Sequence, residues 1–325
     1  MDDSDIARVA TWLGSPLSID GRASGGSSNV TWFVRVGARL AVLRHPPRDA
    51  ELLSTAHDVL REARVLRALA DHHGDAPIPV PEVLAMCADN SVLGVPFVIT
   101  ERRPGVCLLT ATLADLDPVA LAHGAIDALS SIHRVDVERL ALDSPARSYL
   151  TRQIDRWDRQ LRRTTTAARL GDLAPIVAWL HRERPADEAR GLVHGDYGFH
   201  NLLVSTDRIE AVLDWELATL GDPVADLFSF LKSWGAGAAA PNAANDAVAR
   251  RPGSPTRDDL FVRYERRSGR DVRTHARFYE AFGLWRSIGI LEGIHARSGG
   301  SRFRDETPRL VAAITAMMTA VPDTR

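Results

Sequence analysis

The alternation of apolar and polar positions divides the chain into two unlike parts. Residues 30–36 and 40–43 are β-rich and are separated by the short turn Gly37-Ala38-Arg39, which predicts a hairpin. Leu53, Ala56, Leu60, Ala63, Leu66 and Leu69 recur at helical spacing, so an amphipathic helix is expected between residues 52 and 69. Pro77, Pro79 and Pro81 form an extended connector, and residues 83–86 and 97–100 read as two more strands. Arg102-Arg103-Pro104-Gly105 breaks the pattern. Beyond it helices are predicted at 117–133, 146–164, 171–183, 223–234, 258–268, 274–296 and near 307–320, with a short β pair at 201–204 and 209–213. Residues 235–255, rich in Gly, Ala and Pro, read as a mobile surface loop. The expected organisation is a β-rich part over residues 1–103 and a helical part over residues 104–325, with no internal repeat.

Composition narrows the setting. An apolar share of 45% and a charged share of 25% are those of an ordinary globular protein. A net charge of -2 gives no push toward nucleic acid or an anionic membrane, so neither partner is expected. Cys87 and Cys107 form no CxxC and no Cys/His cluster, which argues against zinc and disulfides and for a reducing compartment. The acidic start Met1-Asp2-Asp3-Ser4-Asp5 is unlike a secretory signal, and no stretch approaches the roughly 20 apolar residues of a membrane span. A cytoplasmic location is expected. Lys232 is the only lysine in a chain otherwise rich in arginine.

The chemistry concentrates between residues 192 and 231, in Leu-Val-His-Gly-Asp-Tyr-Gly-Phe-His-Asn-Leu-Leu-Val, then Val-Leu-Asp-Trp-Glu, then Gly-Asp-Pro-Val-Ala-Asp-Leu. Asp196, Asn201 and Asp214 flank the two short strands, and a hairpin there brings the three side chains to one end. Two carboxylates and a carboxamide suit Mg²⁺, a hard ion that shares oxygen ligands with substrate phosphates. A carboxylate left off the metal is free to act as a base.

These residues resemble a family. His194-Gly195-Asp196, Asn201 five residues beyond Asp196, and Leu213-Asp214-Trp215-Glu216 are similar to the catalytic loop and metal motif of aminoglycoside phosphotransferases and their kinase-like relatives. The resemblance implies an α+β, protein-kinase-like two-lobed fold that uses ATP and Mg²⁺. It implies that Asp196 orients the acceptor hydroxyl and that Asn201 and Asp214 hold Mg²⁺. It further implies that Asp226 bonds the catalytic loop and that His194 is structural. A protein kinase is disfavoured, because Gly221-Asp222-Pro223 leaves no room for an activation segment.

Gly25, Gly26, Ser27, Ser28 and Asn29 precede the first predicted strand, where the family's nucleotide-covering loop lies, and small residues let backbone N–H groups approach phosphates. Arg44 stands at the end of the next strand, where kinase-like folds carry a phosphate-binding lysine, and Glu62 on the following helix is its expected partner. Glu101 is assigned to the nucleotide site as well. The Gly25–Asn29 loop, Val42-Leu43-Arg44-His45-Pro46-Pro47, Ala56-His57 through Glu62 and Val80-Pro81 resemble the branch associated with acyl-CoA dehydrogenases, where arginine at the lysine position is usual.

The expected partner is a small-molecule acceptor. Residues 257–310 hold twelve arginines against eight acidic residues, and Arg263, Arg266, Arg267, Arg270 and Arg273 suggest an anionic one such as a hydroxyacyl-CoA. Phe278, Phe282, Trp285, Ile288 and Leu291 fall on one helical face and read first as core. An antibiotic acceptor and a nucleotide-binding regulatory module stay open as alternatives. Sequence does not give an oligomeric state.

Overall fold

The computed structural model describes residues 1–23, 29–48, 58–72, 77–110, 112, 114–140, 142, 146–235, 242–300 and 302–320. The chain opens with helix α1 (Asp3–Leu13), started by a capping box between Asp2 and Asp5 and stopped by Gly14 in the left-handed conformation. Then come strands β1 (Leu17–Arg22), β2 (Val30–Val36) and β3 (Arg39–His45), helix α2 (Val59–Ala70), β4 (Val83–Cys87), the one-turn α3 (Asn90–Leu93) and β5 (Phe97–Glu101). The five strands form one antiparallel sheet in the order β1-β2-β3-β5-β4.

Helix α1 and strand β1 extend what the pattern predicts. Leu17, Val34, Ala41, Leu43, Phe97 and Ile99 line one sheet face, and Val9 of α1 closes over them. Burial of such apolar area supplies about 25 cal/mol per Å². On the other face Val59 and Ala63 of α2 meet Val98 of β5. Helix α2 begins at Asp58, whose side chain accepts the Arg61 N–H; the predicted residues 52–57 lie outside the described ones.

From Pro118 the chain is mainly helical: α4 (Pro118–His133), α5 (Tyr149–Arg163), α6 (Ala174–Glu183), α7 (Val224–Leu231), α8 (Ala243–Ala249), α9 (Arg257–Ser268), α10 (Ala276–Arg297) and α11 (Glu306–Thr319). Four short strands interrupt them, β6 (Gly191–Val193), β7 (Leu202–Val204), β8 (Ile209–Val212) and β9 (Thr219–Gly221), paired as β6-β9 and β7-β8. The expectation of a loop over 235–255 is corrected here, because Asn242 caps α8 by accepting the Ala244 and Asn245 N–H groups. Residues 236–241 lie outside the described ones. Helix α10 is buried along most of its length, with Phe278, Phe282, Trp285 and Ile288 in the core.

Two contacts tie the sheet to the helical part where the β7-β8 hairpin lies. The Val212 N–H bonds Pro79 O at 2.7 Å, and Val106 exchanges both backbone bonds with Val204 at 2.9 Å. Arg61 of α2 donates to the carbonyls of Glu216 and Ala218, just beyond the hairpin.

Candidate active site

The β7-β8 hairpin fixes three side chains. Asn201 enters β7 and Asp214 leaves β8, and the Leu213 N–H bonds Asn201 O at 2.8 Å, so the two residues sit side by side at the open end. The loop from His194 to Asn201 turns back against that end. Gly195 makes the turn possible: its φ is +87°, and a Cβ there would lie 2.9 Å from Leu217 O.

His194 is buried and neutral. Its Nδ1 accepts the Asp196 N–H at 3.2 Å and its Nε2 donates to Leu213 O at 2.9 Å, while burial pushes its pKa down. The ring thereby joins the catalytic loop to the end of β8. Behind it Asp226 of α7 accepts from the His194 N–H at 2.5 Å and the Gly195 N–H at 3.0 Å. Burial opposes the Asp226 charge, but His133 and these surroundings hold its pKa below the ordinary value.

Asp196 faces outward with its side chain 44% exposed. Its Oδ2 accepts from His200 Nε2 at 3.2 Å and from Asn201 Nδ2 at 3.1 Å. Its Oδ1 has Arg286 Nη2 at 3.9 Å. Burial works against the charge, yet the hydrogen bond from His200 and the positive field of Arg286 hold the carboxyl well below the usual carboxylate range. The group is therefore ionised at neutral pH.

Across the hairpin Asp214 is one of two non-glycine residues with positive φ among those described, at 65°. Asp tolerates this left-handed conformation better than most residues, and such strain of about 1–3 kcal/mol gathers at functional sites. Asp214 Oδ1 is buried without a hydrogen bond and lies 3.5 Å from Arg44 Nη2. Arg44 of β3 also meets Glu62 of α2 at 2.5 Å, and Glu62 accepts the Trp215 N–H at 3.4 Å. Burial disfavours the Arg44 charge, but Glu62, Asp214 and Glu216 outweigh it and keep the guanidinium charged. Burial also lifts the Glu62 carboxyl above its ordinary value, even with Arg44 against it.

The remaining candidates fall in three groups. Gly25, Gly26, Ser27 and Ser28 lie outside the described residues; Asn29 beside them is buried, and its Oδ1 has no hydrogen bond. Glu101, the last residue of β5, directs its carboxylate to the Glu82 N–H at 3.4 Å and to Arg103 at 3.5 Å. Four of the five arginines at 263–273, in and after α9, are engaged elsewhere: Arg263 and Arg267 both fork onto Asp127 of α4, Arg273 pairs with Asp258, and Arg270 bonds His133 O.

Positive charge reaches Asp196 from Arg286, which the sequence reading did not name, and from Lys232, which it noted without a role. Arg286, buried in α10, donates to Gly195 O and to Ser229 Oγ. Lys232 donates to the same hydroxyl at 3.4 Å; burial and the Arg286 charge push its amine down to about 8. Asn245 of α8 accepts the Phe199 N–H at 2.9 Å and donates to Phe230 O at 3.2 Å and Ser233 Oγ at 2.7 Å. The signal for Arg286 was a lone charge inside the apolar run Gly283-Leu284-Trp285-Arg286-Ser287-Ile288. His200 stood inside the motif itself.

A five-stranded antiparallel sheet carrying an Arg–Glu pair, over a helical part carrying an Asp…Asn…Asp hairpin, defines a kinase-like phosphotransferase. The chain belongs to the phosphotransferase enzyme family, whose model matches residues 21–288. It is 34% identical over 282 residues to mouse acyl-CoA dehydrogenase family member 10, and 31% identical over 310 residues to the Arabidopsis thaliana probable acyl-CoA dehydrogenase IBR3. These matches cover 84% and 86% of this chain but only 26% and 37% of those relatives' length. Hygromycin-B 4-O-kinase of Escherichia coli is 29% identical over 227 residues, covering 65% of this chain and 62% of the kinase. The fold superimposes on a Ralstonia eutropha protein assigned to the aminoglycoside phosphotransferases with a TM-score of 0.73 and 29% identity, over 96% of this chain and 95% of that one. It also matches aminoglycoside phosphotransferase APH(4)-Ia in ternary complex with AMP-PNP and hygromycin B, with a TM-score of 0.63, 19% identity and coverage of 99% and 100%. Among the described residues no helix is long and apolar enough to cross a membrane.

Proposed function

We propose that the chain transfers the γ-phosphoryl group of ATP to a hydroxyl of a small molecule, with Asp196 facing the acceptor. The observation that carries this reading is the meeting of Asp196, Asn201 and Asp214 at one hairpin end, with the Arg44–Glu62 pair set against Asp214. The donor set fits Mg²⁺. Asn201 turns its amide nitrogen to Asp196, which leaves the amide oxygen for an ion, and Asp214 Oδ1 is buried without a hydrogen bond. Asn201 and Asp214 would hold the ion, which supplies charge neutralisation at the nucleotide phosphates. Arg44 would pair with phosphate while Glu62 fixes its direction.

Asp196 is a weak base because its carboxyl is held so far down, so its first task is to accept the hydroxyl's hydrogen bond and aim its oxygen at phosphorus. The proton passes to Asp196 as that oxygen bonds to the γ-phosphorus and becomes acidic, and ADP departs with the other bonding pair. Catalysis by positioning and charge suits phosphoryl transfer, whose transition state asks little covalent chemistry of the protein.

The favoured acceptor is an anionic metabolite such as a hydroxyacyl-CoA. Arg286 and Lys232 place positive charge beside Asp196, and the relatives of higher identity are named as acyl-CoA dehydrogenases. An aminoglycoside acceptor is the second reading, favoured by the likeness to hygromycin-B 4-O-kinase. A coupled ADP-release assay with Mg²⁺, run over hydroxyacyl-CoAs, aminoglycosides and simple sugars, separates them. Release stimulated by a hydroxyacyl-CoA and lost in Asp196→Ala is the expected result. Stimulation by aminoglycosides alone would replace the first reading with the second, and MgATP binding without release for any acceptor would count against both.

A further inference from the structure

The hydrogen bonds around Asp196 are asymmetric, and the asymmetry is imposed from α8. His200 touches Asp196 Oδ2 with Nε2 at 3.2 Å, and its other ring nitrogen, Nδ1, faces Asn242 Nδ2 at 3.2 Å. Asn242 has no freedom to turn its amide over. Its Oδ1 already accepts the Ala244 N–H at 3.1 Å and the Asn245 N–H at 3.2 Å as the N-cap of α8. The nitrogen of the amide must therefore face His200, and an amide nitrogen only donates. His200 Nδ1 is the acceptor of that bond and carries no proton. Its Nε2 then carries the ring proton, which is the form able to donate to an ionised carboxylate.

We propose that His200, held in its Nε2–H form by Asn242, is a positioning residue that occupies Oδ2 of Asp196 and leaves Oδ1 as the atom that meets the acceptor. This inference rests on the phosphotransferase reading and adds to it an assignment of the two carboxylate oxygens. Oδ2 is taken by His200 and by Asn201, whereas Oδ1 faces Arg286 Nη2 at 3.9 Å, the one ion pair it makes among the described residues. A carboxylate on a freely rotating side chain presents either oxygen; two donors on one oxygen fix which way the other points. The arrangement also closes a route. A proton received by Asp196 has no onward path through His200, because the lone pair of Nδ1 is already directed at an N–H. The proton must leave from Asp196 itself, to solvent or with the product.

The same geometry assigns α8 a task beyond packing. Its first turn reads the tautomer of His200, and Asn245, three residues on, holds the Phe199 N–H. The chain on both sides of the catalytic loop's last turn is thus set by one short helix.

The test uses the full chain with its histidines labelled by ¹⁵N, comparing wild type with His200→Ala, His200→Gln and Asn242→Ser. Serine keeps a capping oxygen for α8 but has no amide to face His200. Long-range ¹H–¹⁵N spectra should show His200, identified by its absence in His200→Gln, as the Nε2–H form in wild type, and that preference should weaken in Asn242→Ser. Kinetics read slow MgATP hydrolysis with water as the acceptor, so no identified substrate is needed. His200→Ala should lower kcat by about 10-fold or more while KM for MgATP stays within about 2-fold, since misplacing a reacting group by about 1 Å costs up to about 10²-fold. Gln, which retains an N–H donor at similar reach, should recover most of the loss. An Nδ1–H ring in wild type overturns the assignment whether or not hydrolysis is measurable. So does a His200→Ala enzyme with unchanged kcat, or a Gln variant no better than Ala. Wild type that binds MgATP but releases no ADP with water or with any acceptor of the panel above, with the Nε2–H ring in place, sinks the phosphotransferase reading and leaves the hydrogen-bond assignment standing.

Discussion

Asp196 and Asp226 are both aspartates of the same site, yet one is 44% exposed on its side chain and the other 1%. They mark two regions. In front, the stretch from His194 to Asp214 carries the half-exposed Asp196 and, on the proposed function, offers its oxygens to ligands. Behind, α7, α8 and α10 use theirs on backbone N–H groups and on each other. Asp226 takes two N–H groups, Asn245 takes one, and Arg286 donates to a carbonyl, all of them on the loop from His194 to Asn201. The difference teaches that the loop from His194 to Asn201 does not hold its own shape. Its conformation, including the left-handed Gly195, is held by bonds from helix residues 31 to 91 positions away in sequence.

The sharpest way to separate the regions is to remove one aspartate from each. Asp196→Ala should lower acceptor-stimulated turnover by about 10³-fold, the range of a lost general base, while the thermal midpoint stays within about 3 °C of wild type. Asp226→Ala should do the reverse first. It orphans two buried N–H groups at about 1–3 kcal/mol each, so urea unfolding should show a loss of about 3 kcal/mol or more, with activity falling as a consequence. Equal stability loss in both variants would erase the distinction between front and back.

A smaller effect tests the joint between the sheet and the hairpin. Arg44→Ala should raise KM for MgATP by about 10-fold or more, the worth of one charge-assisted bond, and leave Glu62 as a buried carboxyl that takes up a proton. Arg44→Lys should recover only part, since lysine restores the charge but not the fork that reaches both Glu62 and Asp214. The smallest effect lies at the back. Burial lifts Asp222 from 3.8 to about 6, although the Tyr279 hydroxyl and the Val224 N–H bond its oxygens. The folded chain keeps a proton there that the unfolded chain releases. Asp222 therefore contributes stability that is present below about 4 and lost as pH rises through about 6. Asp222→Asn, which can keep both bonds, should remove that slope from the pH dependence of unfolding.

The front region was legible because its chemistry is local. Asp196 and Asn201 are five residues apart, Asp214 follows one hairpin later, and the apolar runs between them set that hairpin. The sheet was legible where alternation was strong, at β2, β3, β4 and β5. Helix α1 and strand β1 were missed because their signals, Asp2 with Asp5 and a short run after Pro16, lie outside any long periodic stretch. Helix α8 was missed because Ala-Ala-Asn-Asp-Ala-Val-Ala follows a Gly/Pro-rich stretch and shows little amphipathic pattern. For the arginines at 263–273 the charges were legible and their partners were not. Their charge density is visible in sequence, but Asp127 and the His133 carbonyl are brought near by the packing of α4 on α9, and Asp258 of α9 meets Arg273 where the chain turns after that helix. The cations that do reach Asp196 are Arg286 and Lys232, one hidden in an apolar helix and one at a helix end.

The central claim is a division of labour across one hairpin, with Asn201 and Asp214 on the nucleotide side and Asp196 on the acceptor side. Titration calorimetry of ATP into wild type, Asp214→Ala and Asp196→Ala, each with and without Mg²⁺, tests it most directly. Asp214→Ala should abolish the Mg²⁺-dependent part of the affinity, while Asp196→Ala should bind MgATP as wild type does. Unchanged MgATP affinity in Asp214→Ala, or its loss in Asp196→Ala, would contradict the division.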